Sequence, residues 1–156
     1  MKSIYSETFS NLEQYFIDHG DKKFRAVQVF QWLYQKRVSS FREMSNLKKE
    51  VIELLEQDYM FTKLEILEVQ RDRDVNKYLF RLPDKEHIEA VLMFHDYGNS
   101  VCISTQVGCN MGCKFCESGR RKKVRSLEVY EMVQQVLAIE EDIDKRISHV
   151  VLMGIG

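Results

Sequence analysis

Cys109-Asn110-Met111-Gly112-Cys113-Lys114-Phe115-Cys116 places three thiols at CxxxCxxC spacing. Thiolates are soft, negatively charged donors, so three in one short stretch point to metal or redox chemistry. All four cysteines of the chain fall between positions 102 and 116, which is no pattern for cross-linking a whole domain. A cubane iron-sulfur cluster has four irons; three cysteine ligands leave one iron open to bind a small molecule, whereas electron-transfer clusters take four cysteines. A zinc cage that recruits Cys102 as fourth donor is the alternative, although paired zinc ligands favour two-residue spacing and Cys102 falls inside a predicted strand.

Beside the cysteines, Gly119-Arg120-Arg121-Lys122-Lys123-Val124-Arg125 concentrates five cations. Such a run can contact phosphates without reading sequence, and it equally suits a plain solvated loop. Lys22, Lys23, Arg25, Lys36, Arg37, Arg42, Lys48 and Lys49 add positive charge to the first third of the chain. Phe30, Trp32 and Tyr34 sit at helical spacing and read as core rather than as base-stacking platforms. Cys102, taken alone, reads as a buried thiol on the opposite side of its strand from Val101 and Ile103. His19, His87, His95 and His149 show no ligand spacing and receive no role.

The elements that must position these groups are legible from hydrophobic period. Residues 100–107 alternate as a strand whose carboxyl end runs directly into the cysteines. Ser126 is the expected cap of a helix over 127–141 with Leu127, Tyr130, Val133 and Leu137 inward, and Val150 to Met153 forms another strand. Strand, loop, helix, strand is a βαβ unit, which implies a parallel sheet or barrel. Upstream, 64–69, 77–82 and 89–94 read as strands separated by the turn signals Pro83-Asp84 and Tyr97-Gly98-Asn99.

Residues 1–60 have apolar positions at three- and four-residue spacing and predict three helices. The first carries a capping-box pattern at Ser10-Asn11-Leu12-Glu13, an inward side of Phe9, Leu12 and Phe16, and Gly20 as stop. The second, over 24–36, puts Phe24, Val27, Phe30 and Leu33 or Tyr34 on one stripe. The third opens at Ser45 or Asn46 and buries Leu47, Val51, Leu54 and Leu55.

Composition sets the outer bounds. With 44% hydrophobic and 30% charged residues and a net charge of -1, disordered and collagen-like chains are excluded. No apolar run approaches the roughly 20 residues that span a bilayer, and the polar amino terminus predicts a cytoplasmic protein without membrane partners. The chain stops at Gly154-Ile155-Gly156, directly after a strand whose sheet would be left uncovered, so truncation is expected.

The segment Val101-Cys102-Ile103-Ser104-Thr105-Gln106-Val107-Gly108-Cys109 through Cys116 resembles the signature of the RlmN/Cfr family of radical-SAM adenine methyltransferases. So do Lys23 to Tyr34, Phe41 to Leu47, Lys77 to Phe80, Ile88 to Val91 and Val151 to Gly156. The resemblance covers nearly the whole chain but only the front half of the family pattern. It implies an α/β fold: a helical RNA-recognition module over 1–60, a small β region over 61–99, and the start of a truncated radical-SAM partial (β/α) barrel over 100–156.

Carried over by position, the resemblance implies that Cys109, Cys113 and Cys116 ligate a 4Fe-4S cluster and that Phe115 helps shelter the cofactor. Gly154 and Gly156 would begin the turn that binds the methionine part of S-adenosyl-L-methionine. Cys102 matches the cysteine that resolves a protein–RNA adduct by forming a disulfide with a methyl-carrying cysteine, and Glu89 matches an acidic residue assigned to proton handling. The methyl-carrying cysteine has no counterpart among these residues, so the chain by itself is not expected to complete the reaction. Arg120, Arg121, Lys122, Lys123 and Arg125 would contact RNA.

The implied activity is methylation of an adenosine ring carbon, C2 or C8, in 23S ribosomal RNA, with transfer RNA as a second substrate and a cellular electron donor for the cluster. Glu117-Ser118 departs from the family's usual Ala-Thr beside the cluster. Two other readings stay open: a noncatalytic cluster- or RNA-binding fragment, and a zinc-binding RNA module.

Overall fold

The computed structural model describes residues 1–156. They form two compact units, Met1–Lys63 and Leu64–Gly156.

The first unit is helical. Its short strand β1 (Lys2–Ser3) pairs in parallel with β2 (Tyr59–Met60), bringing the two ends of the unit together. Between them lie α1 (Phe9–Asp18), α2 (Phe24–Phe30) extended by a π-helical turn over Gln31–Gln35, and α3 (Lys49–Asp58). Leu12, Phe16, Ala26, Val29, Leu33 and Leu55 are fully buried between these helices.

Each expected helix is present, with three corrections. Thr8, not Ser10, caps α1 by accepting the Asn11 amide at 3.2 Å. A start at Ser10 would leave Phe9 outside the helix, away from the Phe30 ring that it meets edge-on at 5.3 Å. In α2 the buried stripe is Ala26, Val29 and Leu33, while Phe24 and Val27 are exposed. Apolar residues occur on every side of this helix, so period alone could not choose the inward face. Finally, α3 starts after Lys48, because Asn46 is engaged elsewhere as acceptor for the Trp32 indole N–H.

The second unit is a five-stranded mixed sheet in the order β3-β4-β5-β6-β9. Its strands are β3 (Glu65–Arg71), β4 (Val75–Arg81), β5 (His87–His95), β6 (Gly98–Cys102) and β9 (His149–Val151). The first four are antiparallel neighbours; β9 returns parallel to β6 through α4 (Val129–Ile143), as the βαβ pattern requires. A two-stranded ribbon, β7 (Gln106–Val107) with β8 (Arg125–Ser126), closes the base of the cysteine loop.

Alternation sorts the sheet into two faces. Tyr78, Phe80, Ile88, Ala90, Leu92 and Val101 are buried and pack in one cluster with Leu127 and Ile139 from the helical side. Burying each large side chain of this kind contributes about 1.5–3 kcal/mol. At the far end Tyr78 donates to Asp142 at 2.7 Å and Arg71 grips both oxygens of the same carboxylate, tying two strands to the last turn of α4.

The helix α4 starts two residues later than expected. Ser126 belongs to β8, and the cap is Glu128, in a reciprocal box with Glu131. The strand expected over 100–107 is also interrupted: β6 ends at Cys102 and β7 begins at Gln106. No helix is long and apolar enough to cross a membrane.

Candidate functional site

The interruption between β6 and β7 is built by buried polar groups. Ser104, fully buried, donates its amide to Gln135 Oε1 at 2.9 Å and accepts from Gln135 Nε2 at its carbonyl at 3.0 Å. Its hydroxyl donates to the Glu89 carbonyl at 2.6 Å and accepts the Ile155 amide at 3.1 Å. One side chain from α4 thus replaces the ladder partners that the strand gives up, and no backbone group is left bare at the break.

The cysteine loop leaves from this point through Gly108, which is buried with φ +71°. A Cβ there would come within 2.2 Å of the Lys122 carbonyl oxygen, so only glycine fits. The Cys109 amide donates to the Arg121 carbonyl at 2.9 Å, and the Val124 amide to the Val107 carbonyl at 2.8 Å. The basic run is therefore the closing arm of the same loop that opens with Cys109.

All four thiols are free; Cys109 and Cys102 are half-buried, while Cys113 and Cys116 are exposed. The Met111 amide donates to the Cys109 sulfur at 3.5 Å and the Cys116 amide to the Cys113 carbonyl at 3.1 Å. The sulfurs are not drawn together: no three Cys, His, Asp or Glu side chains form a group that could hold a metal ion. The donor set itself, three thiols on one loop with Cys102 apart in the β6 ladder, fits a 4Fe-4S cluster with one iron left for another ligand. On the same loop Phe115 is 92% exposed and Met111 74%.

The cations of the closing arm divide by employment. Arg125 is held between Asp84 at 2.8 Å and the buried Glu131 at 2.7 Å. The Glu131 and Asp84 carboxylates raise its affinity for its proton further, and Arg125 in turn holds the Asp84 carboxyl below its ordinary range. Arg121 pairs with Glu86. Arg120 pairs with Glu117 on the open surface, and the side chains of Lys122 and Lys123 are exposed.

Cys102 and Glu89 stand on the same face of the sheet, the one turned away from α4. Cys102 pairs across from Val91, and Glu89 lies two residues along β5 on the same side. Lys77 joins them, its ammonium 2.9 Å from Glu89 Oε1. Together with His87, Gly108, Glu117 and Arg121, Lys77 and Glu89 border a cleft of about 280 Å³.

After β9 the chain continues beside the strand break. Gly154 donates its amide to the Ile103 carbonyl at 3.1 Å, and the Ile155 carbonyl accepts from Thr105 and Gln106 at 2.9 and 3.0 Å. A Cβ on Gly154 would lie 2.7 Å from the Ile103 oxygen, and one on Gly156 2.1 Å from Thr105 Oγ1. Gly154 thus serves a close approach of two backbones after the ends of β6 and β9, whereas Gly156 lies against the Thr105 side chain.

Sequence reasoning missed Gln135, Ser104, Glu131, Asp84, Glu86 and Lys77. Two of them left a trace: Glu128-x-x-Glu131 is a capping box with an acid in the serine position, and Gln134-Gln135 interrupts an otherwise apolar helix face.

Residues 4–60 match the family model for the ribosomal RNA large subunit methyltransferase N-terminal domain. Over 99% of its length the chain is 52% identical to a probable dual-specificity RNA methyltransferase RlmN of Enterococcus faecalis, covering 45% of that protein. It is 51% identical to the corresponding protein of Listeria monocytogenes, covering 44% of it. The whole chain superposes on 47% of the crystal structure of a radical SAM methyltransferase from Sphaerobacter thermophilus, with a TM-score of 0.87 and 33% identity. The chain spans a little under half the length of these relatives. The cysteine loop, the βαβ frame beneath it and these matches agree: over nearly its whole length the chain is similar to the amino-terminal part of RlmN methyltransferases.

Proposed function

We propose that this chain is the amino-terminal part of a radical-SAM methyltransferase that modifies C2 or C8 of an adenosine in 23S ribosomal RNA, and in transfer RNA as well. The observation that carries this reading is that three free thiols lie on the loop that follows β6 and β7, while the glycine-containing exit of β9 packs against the break between those two strands. In barrel enzymes the strand carboxyl ends are where catalytic groups collect, and residues 100–156 are read as the start of such a barrel.

Cys109, Cys113 and Cys116 would hold the 4Fe-4S cluster, with Phe115 as apolar cover. When bound, the cluster and S-adenosyl-L-methionine supply one-electron chemistry strong enough to break a C–H bond, which suits a ring carbon too unreactive for direct methyl transfer. A cellular reductant provides the electron. Gly154 and Gly156, which pack against Ile103 and Thr105, would begin the turn that binds the methionine end of the cofactor.

Glu89 would hold or accept a proton at its carboxylate, kept in place by Lys77. Cys102, on the same face, is the thiol that would release product by forming a disulfide with the methyl-carrying cysteine. Residues 1–60 serve as the RNA-recognition module, with 61–99 as the β region that joins it to the barrel. Arg120, Lys122 and Lys123 would contact phosphate, while Arg121 and Arg125 are committed to carboxylates and reinforce the arm that presents them.

Anaerobic reconstitution tests the reading. The expected result is iron and sulfide in about four-to-four ratio, an electron-paramagnetic signal altered by S-adenosyl-L-methionine, and loss of both in Cys113→Ala. Stoichiometric zinc without iron would overturn it in favour of a zinc-binding RNA module.

A further inference from the structure

Arg121 has one end on the cysteine loop and the other on the sheet. Its main-chain carbonyl accepts the Cys109 amide at 2.9 Å, while its guanidinium reaches Glu86, in the turn between β4 and β5. The neighbourhood leaves little slack. Gly108 packs against the Lys122 carbonyl with no room for a Cβ, and the Lys123 amide donates to Asn110 Oδ1 at 2.9 Å. Further along the arm, Arg125 binds Asp84 of the same turn and Glu131 of α4.

We propose that Arg121 is a positioning residue for Cys109, with Glu86 as its anchor. The β4–β5 turn sets the Arg121 peptide through this ion pair, and that peptide sets the Cys109 backbone. What the Cys109 thiol then holds rests on the function proposed above; the coupling itself involves only residues of this chain. A merely solvated basic loop makes a different statement, since its arginines would be replaceable by any cation. A guanidinium fixed on one carboxylate is not equivalent to an ammonium at the same place. Arg121 also borders the cleft that contains Glu89, so the same pair fixes one wall of that cleft.

The test is hydrogen exchange at the Cys109 amide in the metal-free chain, where exchange reports local opening of the loop. Glu86→Gln and Arg121→Met should each speed it about threefold, the scale of a partly exposed ion pair. The two changes together should add nothing beyond either alone, and the exchanged pair Glu86→Arg with Arg121→Glu should recover most of the protection. Arg120→Gln, which removes a cation whose partner lies on the open surface, should leave Cys109 unchanged. In reconstituted protein, iron loss to a chelator should quicken in the two single variants and not in Arg120→Gln.

Unaltered Cys109 exchange in both Glu86→Gln and Arg121→Met, or equal acceleration in Arg120→Gln, overturns the proposal. Zinc uptake by the unsubstituted chain with the exchange coupling intact overturns the cluster reading and still supports the positioning role.

Discussion

Gln135 and Ser104 exchange two hydrogen bonds, at 2.9 and 3.0 Å, where β6 ends and the path to the cysteines begins. The side-chain amide of Gln135 is fully buried and acts as a substitute strand partner. Gln135→Leu keeps the volume but leaves a buried donor and a buried acceptor unmet, at about 1–3 kcal/mol for each. The expected outcome is a large fall in the urea midpoint. Gln135→Glu retains the acceptor for the Ser104 amide and should fall between the two; equal stability of the leucine variant and the parent would show that the break is held by other contacts.

Gly108 and Gly112 make a paired prediction because both have positive φ, +71° and +64°, yet only Gly108 is crowded. Gly112→Ala should cost about 1 kcal/mol, the penalty of a left-handed backbone for a residue with a Cβ. Gly108→Ala must in addition displace the Lys122 carbonyl, so it should separate the two arms of the loop. Thermal melting gives the first quantity. Loss of protection at the Cys109 and Val124 amides gives the second.

Acid should act on the loop through Asp84. Arg125 holds this carboxyl below its ordinary value of 3.8, so the unfolded chain takes up the proton more readily than the folded one. The stabilisation from the pair is complete above that value and is lost as pH falls through the lowered one. Asp84→Asn should therefore reduce stability at neutral pH and flatten its decline toward about pH 3. Urea titrations across that range read both effects, and an unchanged acid slope would remove Asp84 from the account.

The basic arm should separate into two classes under mutation. Lys122→Gln and Lys123→Gln should weaken RNA binding and lower its salt dependence by about one counterion each, with no change in melting temperature. Arg125→Met strands the buried Glu131 carboxylate and should cost several kcal/mol, on the order of 3–5, before any RNA is added. If Arg125→Met melts like the parent, the Asp84–Arg125–Glu131 group is not a structural clamp.

How much of this was readable in advance depended on whether a signal was local. The alternation in β4 and β5 and the βαβ order are properties of short segments, and both reappear in the fold. The face of α2 was not readable, since Ala26, Val29 and Leu33 compete with Phe24, Val27 and Phe30 at the same period. The partners of the buried polar groups were not readable for a different reason. Ser104, Gln135 and Glu131 earn burial only through partners distant in sequence, and a single chain of letters does not state which donor meets which acceptor. Arg121 and Arg125 were likewise counted with Lys122 and Lys123 because charge alone does not distinguish a clamp from a contact.

The shared face of Glu89 and Cys102 depends on the register between β5 and β6. Their hairpin pairs His95 with Gly98 around only Asp96 and Tyr97. Sheet faces alternate at every residue, so a one-residue slip in β6 would carry the Cys102 thiol to the α4 side while leaving Glu89 where it is. The fully buried Val101 resists such a slip, because the same shift would turn it out of the core, so an insertion at the exposed turn lengthens the loop and leaves the Cys102 thiol on its face. A core valine that touches no part of the site thereby decides which face its neighbouring thiol presents.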